Sequence, residues 1–159
     1  GGAGARTKRP SWDEYFLRMA RLAATRATCP RRRVGAILVR DQRVLATGYN
    51  GSVAGAPHCD EVGCLIVIRD GRESCERTVH AELNAILQCA VNGVESAGST
   101  MYCTDFPCVN CAKAMVQAGV RRVVYLADYP DPNSYEILKS GRVQLEKATL
   151  EDITPGRCE

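Results

Sequence analysis

The sequence contains few histidines and few aromatic residues: its 159 residues include two His, two Phe and one Trp. It also lacks a signal peptide and any apolar run near the roughly 18–20 residues that a membrane span requires. We therefore expect no membrane contact and a cytoplasmic location, in the host cytoplasm if the source is viral. The hydrophobic fraction of 45% and the charged fraction of 25% are ordinary for a globular chain, which excludes a disordered or fibrous protein.

Cysteine, in contrast, is abundant, with nine residues. They stand at positions 29, 59, 64, 75, 89, 103, 108, 111 and 158. An odd number in a chain of this length is not typical of a secreted disulfide scaffold. Many cysteines beside two histidines in an intracellular chain indicate metal binding instead.

The net charge of +3 is too small to indicate a nucleic-acid partner. Its distribution is uneven, because ten of the 21 Lys and Arg residues fall within residues 1–40 beside only two acidic residues. This segment therefore carries +8 and the rest of the chain −5. A basic start of this kind attracts phosphate groups, although a solvated run of charges is an equally good interpretation.

The chain divides into one domain over residues 10–150, a tail over 151–159 and a flexible start over 1–9 that resembles a linker or cleavage remnant. Apolar spacing predicts helices over 12–28, 80–92, 108–118 and 134–139, and strands over 34–39, 44–49, 100–104, 122–126 and 143–147. Residues 52–79 are too long for an ordinary connection and form a functional insert. Helices that alternate with strands after an opening hairpin predict an α/β fold, a three-layer α/β/α sandwich around a mixed sheet.

Two short motifs carry the chemistry: His80-Ala81-Glu82, and Pro107-Cys108-Val109-Asn110-Cys111. Cys108 and Cys111 are three positions apart on one predicted helix, so both sulfurs can face one point. Each motif opens a helix, whose positive end favours the thiolates that zinc requires. Three protein ligands, His80, Cys108 and Cys111, leave a fourth tetrahedral position for water, which is the arrangement of a catalytic zinc site.

Glu82 stands two residues beyond the histidine, where it can move a proton without binding the metal. The combination H-x-E and P-C-x-x-C is the signature of zinc-dependent nucleobase deaminases. A structural zinc knuckle is the alternative, but it recruits a fourth protein ligand and has no use for Glu82.

At these motifs the chain resembles the deoxycytidylate (dCMP) deaminase family, over roughly residues 10–147. The matching segments are 11–16, 34–36, 48–51, 78–86, 106–113 and 129–131. The resemblance implies a cytidine deaminase-like fold and the conversion of dCMP and water to dUMP and ammonia, a step that supplies dTTP synthesis. It also implies that Asn50 contacts the sugar and that Tyr129 lies against the pyrimidine or a neighbouring nucleotide.

Members of this family are commonly hexamers that dCTP activates and dTTP inhibits. The resemblance implies such regulation here, at a second site that includes Gly48, Tyr49, Asn50 and Gly51. The spacing does not identify the residue that binds the substrate phosphate. The basic candidates are Arg31, Arg32, Arg33, Lys113, Arg121 and Arg122.

Four further cysteines, Cys29, Cys59, Cys64 and Cys75, lie in or next to the insert. A loop of about 30 residues with few apolar side chains cannot order itself, and four thiolates on one zinc would fix it. Related deaminases with this insert carry a second, structural zinc, and His58 is a substitute ligand, chiefly for Cys64. Free thiols in a loop ordered by oligomer contacts are the alternative.

Two other functions remain open from the sequence. A deaminase acting on adenosine in RNA shares the zinc motif, but the −5 charge after residue 40 argues against a polynucleotide groove. A catalytically silent zinc protein that binds nucleotides is the other alternative, and the presence of Glu82 argues against it.

Overall fold

The structure, a computed structural model, describes residues 9–127 and 131–150. The expected start over 1–9, apart from Arg9, and the expected tail over 151–159 lie outside the described residues, as do Tyr129 and Cys158. None of the helices within the described ranges combines the length and the apolar character needed to cross a bilayer.

The first helix, α1 (Trp12–Ala24), begins where the sequence predicts. The hydroxyl of Ser11 caps it by accepting a hydrogen bond from the backbone N–H of Glu14 at 3.1 Å. The helix ends earlier than the predicted Thr28, because the backbone N–H of Thr28 donates to the carbonyl of Asn50 instead of continuing the helical pattern. This bond ties the end of the helix to the region after the second strand.

The central sheet has five strands in the order β2-β1-β7-β8-β9. Their bounds are β1 Gly35–Arg40, β2 Arg43–Tyr49, β7 Thr100–Cys103, β8 Arg122–Tyr125 and β9 Gln144–Lys147. Strand β1 is antiparallel to both β2 and β7, whereas β7, β8 and β9 are parallel to one another. The β1–β2 turn is tight because Asp41 and Gln42 adopt positive φ angles of 51° and 61°.

Helices cover both faces of this sheet, as the sequence predicts. One face packs on α1 through a cluster that includes Phe16, Leu17, Ile37 and Val39. The larger core on the other face lies beneath helices α3 (Ala81–Asn92), α4 (Val109–Gln117) and α5 (Pro132–Ser140). Alternating residues of β1 supply both cores, because successive side chains of a strand point to opposite faces. The fold is the predicted three-layer α/β/α sandwich with a mixed sheet.

The insert over residues 52–79, for which no helix or strand was predicted, contains regular secondary structure. It holds the short helix α2 (Cys59–Val62) and an antiparallel hairpin of β4 (Ile66–Arg69) and β5 (Arg72–Cys75). Its end, β6 (Thr78–Val79), pairs with β3 (Gly51–Ser52). The β4–β5 hairpin is largely exposed, and its local sequence signals are the apolar run over residues 65–68 and the Asp70-Gly71 turn, whose φ angles are 52° and 74°.

A polar network fastens α1 to the sheet. The guanidinium of Arg122 donates to both carboxylate oxygens of Asp13, at 2.9 and 2.7 Å, and the hydroxyl of Tyr102 donates to the same carboxylate at 2.6 Å. The Arg122 guanidinium, followed by Tyr102, lowers the pKa of Asp13 even though partial burial opposes the change. The ionised carboxylate is therefore the form that the fold stabilises.

We expect Asp13→Asn to lower the free energy of unfolding by about 1–2 kcal/mol at pH 7, since it removes charge-assisted bonds at a partly exposed site. A group with a lowered pKa stabilises the fold above its unfolded value of 3.8, and this contribution is lost as the pH falls further. The difference between variant and wild type in urea unfolding should thus be constant from pH 7 to 5 and decrease below pH 3.8. Glu14→Gln, in the same helical turn, controls for the helix dipole and should leave the unfolding free energy nearly unchanged.

Candidate active site

The starts of α3 and α4 bring the predicted zinc ligands together. His80 is the N-cap residue of α3, and Cys108 is the N-cap residue of α4, both in extended backbone conformation. Cys111 lies three residues after Cys108, where the first helical turn returns to the same side. Helix α4 thus begins at Val109, one residue later than predicted, and the Cys108 side chain at its N-cap contacts His80.

The ligand atoms fit a tetrahedral zinc ion. Nδ1 of His80 lies 3.3 Å from Sγ of Cys108 and 3.4 Å from Sγ of Cys111. Zn–S bonds of about 2.3 Å and Zn–N bonds of about 2.0–2.1 Å at tetrahedral angles separate such atoms by roughly 3.5 Å. All three ligand atoms lie within 4.8 Å of one another. Three ligands of this kind leave one coordination position for a water molecule or a substrate.

The electrostatics of the three side chains favour metal binding. The hydrogen bond from Cys111, with further help from His80, lowers the pKa of the Cys108 thiol to about 4. The same interaction raises the pKa of Cys111, because the pair holds a single proton between its two sulfurs. The neighbouring Cys108 raises the pKa of His80, while burial opposes this change. At neutral pH one thiolate is therefore already formed, and a metal cation replaces the shared proton.

Glu82 is buried in the first turn of α3 and is 4% exposed. Burial raises the pKa of its carboxyl group above the ordinary value of 4.5. Its side chain is not part of the ligand group, yet it lines the same cavity as His80 and Cys108. A carboxyl group with a raised pKa beside a metal site is suited to accept and return a proton.

The cavity has a volume of ≈ 180 Å³ and its walls come from several parts of the chain. The apolar part of the cavity wall is formed by Val34 and Phe106. The rings of Phe106 and Tyr125 pack edge to face, with 4.8 Å between their centroids. Phe106 is a lining residue beyond those predicted from the motifs, and its position directly before Pro107 and Cys108 is the sequence signal for it. An aromatic wall beside a metal suits a flat heterocyclic ring.

Asn50 also lines the cavity, and most of its side chain is engaged by the backbone. Its carbonyl oxygen accepts a hydrogen bond from the N–H of Val34 at 2.8 Å, and its amide donates to the carbonyl of Arg32. An Asn amide has two donor hydrogens, so one of them can still serve a ligand. Asn50 thereby also fixes the segment that carries Arg31 and Arg32, both of which line the cavity.

Comparison with known proteins agrees with this site. Residues 10–127 match the cytidine and deoxycytidylate deaminase zinc-binding region. The chain belongs to the cytidine and deoxycytidylate deaminase family. It is 44% identical to the ComE operon protein 2 of Bacillus subtilis (strain 168), over 92% of this chain and 76% of that protein. It is 42% identical to the deoxycytidylate deaminase of Schizosaccharomyces pombe over 87% of this chain, but spans only 44% of that enzyme's length.

A solved structure gives the same result for the fold. The dCMP deaminase of cyanophage S-TIM5, crystallised with dCMP and dUMP, superposes with a TM-score of 0.75 at 32% identity. The match covers 89% of this chain and 99% of the phage protein. This family member therefore has the expected fold and is a zinc-binding deaminase, a hydrolytic enzyme.

A second group of cysteines lies at the edge of the deaminase cavity. Cys29, Cys59, Cys64 and Cys75 have all four sulfurs within 4.8 Å of one another, with Cys29–Cys64 and Cys59–Cys75 both at 3.6 Å. Sulfurs around a tetrahedral zinc with 2.3 Å bonds are separated by about 3.8 Å, so the group fits a closed zinc site. Burial is the largest cause that raises the pKa of Cys59, to about 12.

The pKa of the Cys75 thiol is lowered, in contrast to that of Cys59. Burial alone would raise the pKa of its thiol, but hydrogen bonds from the backbone of Arg77 and Leu65 lower it to about 7. His58 is not a member of the four-cysteine group, contrary to its expected use as a substitute for Cys64. It lines a different cavity, and its buried Nδ1 atom has no hydrogen-bond partner among the described residues.

The residues of the expected regulatory site, Gly48 to Gly51, line two different cavities. Asn50 faces the catalytic cavity, whereas Gly48, Tyr49 and Gly51 line a wider groove of ≈ 650 Å³ between β2 and α3. Gly48 is required by close packing, because a Cβ atom there would lie 2.1 Å from the carbonyl oxygen of Ala81. The remaining expected residue, Tyr129, lies outside the described residues.

Proposed function

We propose that this chain catalyses the hydrolytic deamination of dCMP to dUMP and ammonia and so supplies the precursor for dTTP synthesis. The observation that carries the proposal is the buried Glu82 beside the ligand set His80, Cys108 and Cys111 in a single cavity. Similarity to deoxycytidylate deaminases, among them the phage enzyme with dCMP and dUMP, supports the choice of substrate.

The described residues have distinct parts in this reaction. His80, Cys108 and Cys111 would hold a zinc ion, which would lower the pKa of a bound water to about 7 and so supply a nucleophile at neutral pH. Glu82 accepts a proton from the attacking water and delivers it to the ring nitrogen. It then takes the remaining proton from the newly added hydroxyl group and passes it to the departing amine, so that the carbonyl of dUMP forms as ammonia leaves. The burial that raises the pKa of Glu82 makes its protonated form accessible during this transfer.

The remaining groups bind the nucleotide. Phe106 contacts the pyrimidine ring, and the free amide hydrogen of Asn50 donates to a sugar hydroxyl. Tyr129 remains a predicted contact to the base or to a neighbouring nucleotide. Arg31 and Arg32 bind the phosphate, because they alone among the basic candidates named from the sequence line the cavity of the described structure. Arg122, in contrast, bonds to Asp13 and Glu146.

We expect Glu82→Gln to lower kcat for dCMP by about 10²–10⁴-fold, since it removes proton transfer but keeps the size of the side chain. Ammonia release from dCMP, deoxycytidine, dCTP and an adenosine-containing RNA is the measurement. Zinc content should stay at the wild-type value, because Glu82 is outside the ligand group. Glu95→Gln at an exposed position is the control. Turnover of dCMP that survives in Glu82→Gln contradicts the mechanism, and faster turnover of dCTP or RNA contradicts the substrate.

We also propose a second, structural zinc on Cys29, Cys59, Cys64 and Cys75. The sulfur separations support it, and so does the position of the group in a segment with few buried apolar side chains. Cys29 and Cys75 line the catalytic cavity as well, so this zinc would hold part of the cavity wall in place.

Metal content tests this second centre. We expect two zinc ions per wild-type chain by mass spectrometry, one in Cys75→Ser and one in Cys111→Ser, because serine is a poor zinc ligand at neutral pH. Cys89→Ala, a buried cysteine outside both groups, should keep two. One zinc per chain in fully active wild-type protein contradicts the proposal.

Regulation by dCTP as activator and dTTP as inhibitor, in a hexamer, is the third part of the proposed function. The groove lined by Gly48, Tyr49 and Gly51 supports it as a nucleotide site. Exposed apolar side chains on neighbouring surfaces, Val44 on the edge strand β2 with Leu87 and Val91 on α3, support it as a contact between subunits. The expected domain of residues 10–150 and cytoplasmic location also remain proposals.

We expect Val91→Glu to lower the molar mass measured by light scattering and to abolish inhibition by dTTP, because a charge replaces an 80% exposed apolar side chain in the contact. Ile68→Glu, at a 72% exposed apolar position on β4, is the matched control and should keep both properties. A monomeric wild type with hyperbolic kinetics, unaffected by either triphosphate, contradicts the proposal.

A further inference from the structure

Charged residues of both signs stand at the mouth of the catalytic cavity. Nη1 of Arg31 lies 3.1 Å from a carboxylate oxygen of Glu73, and Nη2 of Arg32 lies 3.4 Å from one of Asp105. The side chains of Arg31 and Glu73 are 46% and 57% exposed, in contrast to the buried Glu82. They therefore form the solvent side of the cavity, opposite the chemistry.

The two carboxylates differ in their relation to the cavity. Glu73 lines it together with Arg31 and Arg32, whereas Asp105 is outside the lining. Consequently a ligand that reaches the two arginines also meets the charge of Glu73. No other carboxylate lines the cavity of the described structure except Glu82.

The backbone of Glu73 is fixed from two sides. In the β4–β5 hairpin it pairs with Ile68. Two residues later, Cys75 belongs to the four-cysteine group, which also includes Cys29. Because its backbone is held in this way, the Glu73 side chain can turn only about a fixed point at the cavity mouth, so its charge acts on the bound state as well as on the empty one.

We infer that Glu73 is a specificity-determining residue that selects nucleoside monophosphates against di- and triphosphates. This inference rests on the proposed deamination of dCMP. With the base at the metal and the phosphate on the arginines, each additional phosphoryl group extends toward the mouth. There the carboxylate of Glu73 repels the added negative charge and competes with it for Arg31.

The test compares kcat/KM for deoxycytidine, dCMP and dCDP in zinc-loaded wild-type protein and in Glu73→Gln. Removal of one carboxylate charge at a solvent-exposed site should raise the dCDP/dCMP ratio of kcat/KM about three- to tenfold. The increase should shrink at 0.5 M salt, because screening shortens the range of the repulsion. Deoxycytidine, which has no phosphate, reports any change in the rest of the cavity.

Glu76→Gln is the matched control. Glu76 follows the same hairpin and pairs with Arg69, but it does not line the cavity, so its substitution should leave the ratio at the wild-type value. A wild type that releases no ammonia from dCMP refutes the proposed function. A wild type that is active on dCMP, with an unchanged ratio in Glu73→Gln or an equal rise of KM for dCMP and dCDP, overturns the inference alone.

Discussion

The site depends on the contact between Gly48 in β2 and Ala81 in the first turn of α3. A single Cβ atom at Gly48 would stand 2.1 Å from the Ala81 carbonyl oxygen and 2.8 Å from the Ala85 backbone nitrogen. Ala81 lies between the ligand His80 and the acid Glu82. The close approach of strand and helix thus sets the distance of both functional side chains from the sheet, and therefore from Cys108 and Cys111 on the neighbouring helix. A larger residue at Gly48 would displace the two together.

The opposite wall of the cavity includes part of the insert, residues 52–79, which is not stabilised by packing against the hydrophobic core. Within the insert, Cys59 is the one buried apolar side chain, and the backbone N–H of Asp60 links the segment to the carbonyl of Thr28. Hydrophobic burial cannot order such a segment, since fixing each residue costs roughly 1–2 kcal/mol of conformational entropy. The four clustered sulfurs are the feature that can compensate this cost locally. One side of the cavity is thus held by close packing, and the proposed second zinc would hold the other.

This difference also explains what could be predicted from the sequence. The positions of His80, Glu82, Cys108 and Cys111 follow from local spacing at helix starts, and the sandwich follows from the order of apolar segments. The β4–β5 hairpin was not predicted, although the apolar run over residues 65–68 and the Asp70-Gly71 turn are local signals for it, because most of its side chains are exposed and do not alternate between core and solvent. Cys29, Cys59, Cys64 and Cys75 could be named as one set from the sequence, but the choice between them and His58 depends on where the insert folds and on where the hairpin places Cys75.

The buried and the exposed sides of the cavity are suited to different tasks: the buried side to the reaction rate, and the exposed side to the choice of substrate. Glu82 lies in a buried, weakly screened environment, where small changes in geometry or charge alter the transition state and hence kcat. Arg31, Arg32 and Glu73 lie at the mouth, where water screens each charge and a single pair contributes about 1 kcal/mol or less. Such contacts are too weak to change the chemical step, but they are sufficient to rank ligands that differ by one phosphoryl charge. On the proposed reaction, the packed core around Glu82 would therefore determine the rate, and the charged residues at the cavity mouth would determine the preference among nucleotides.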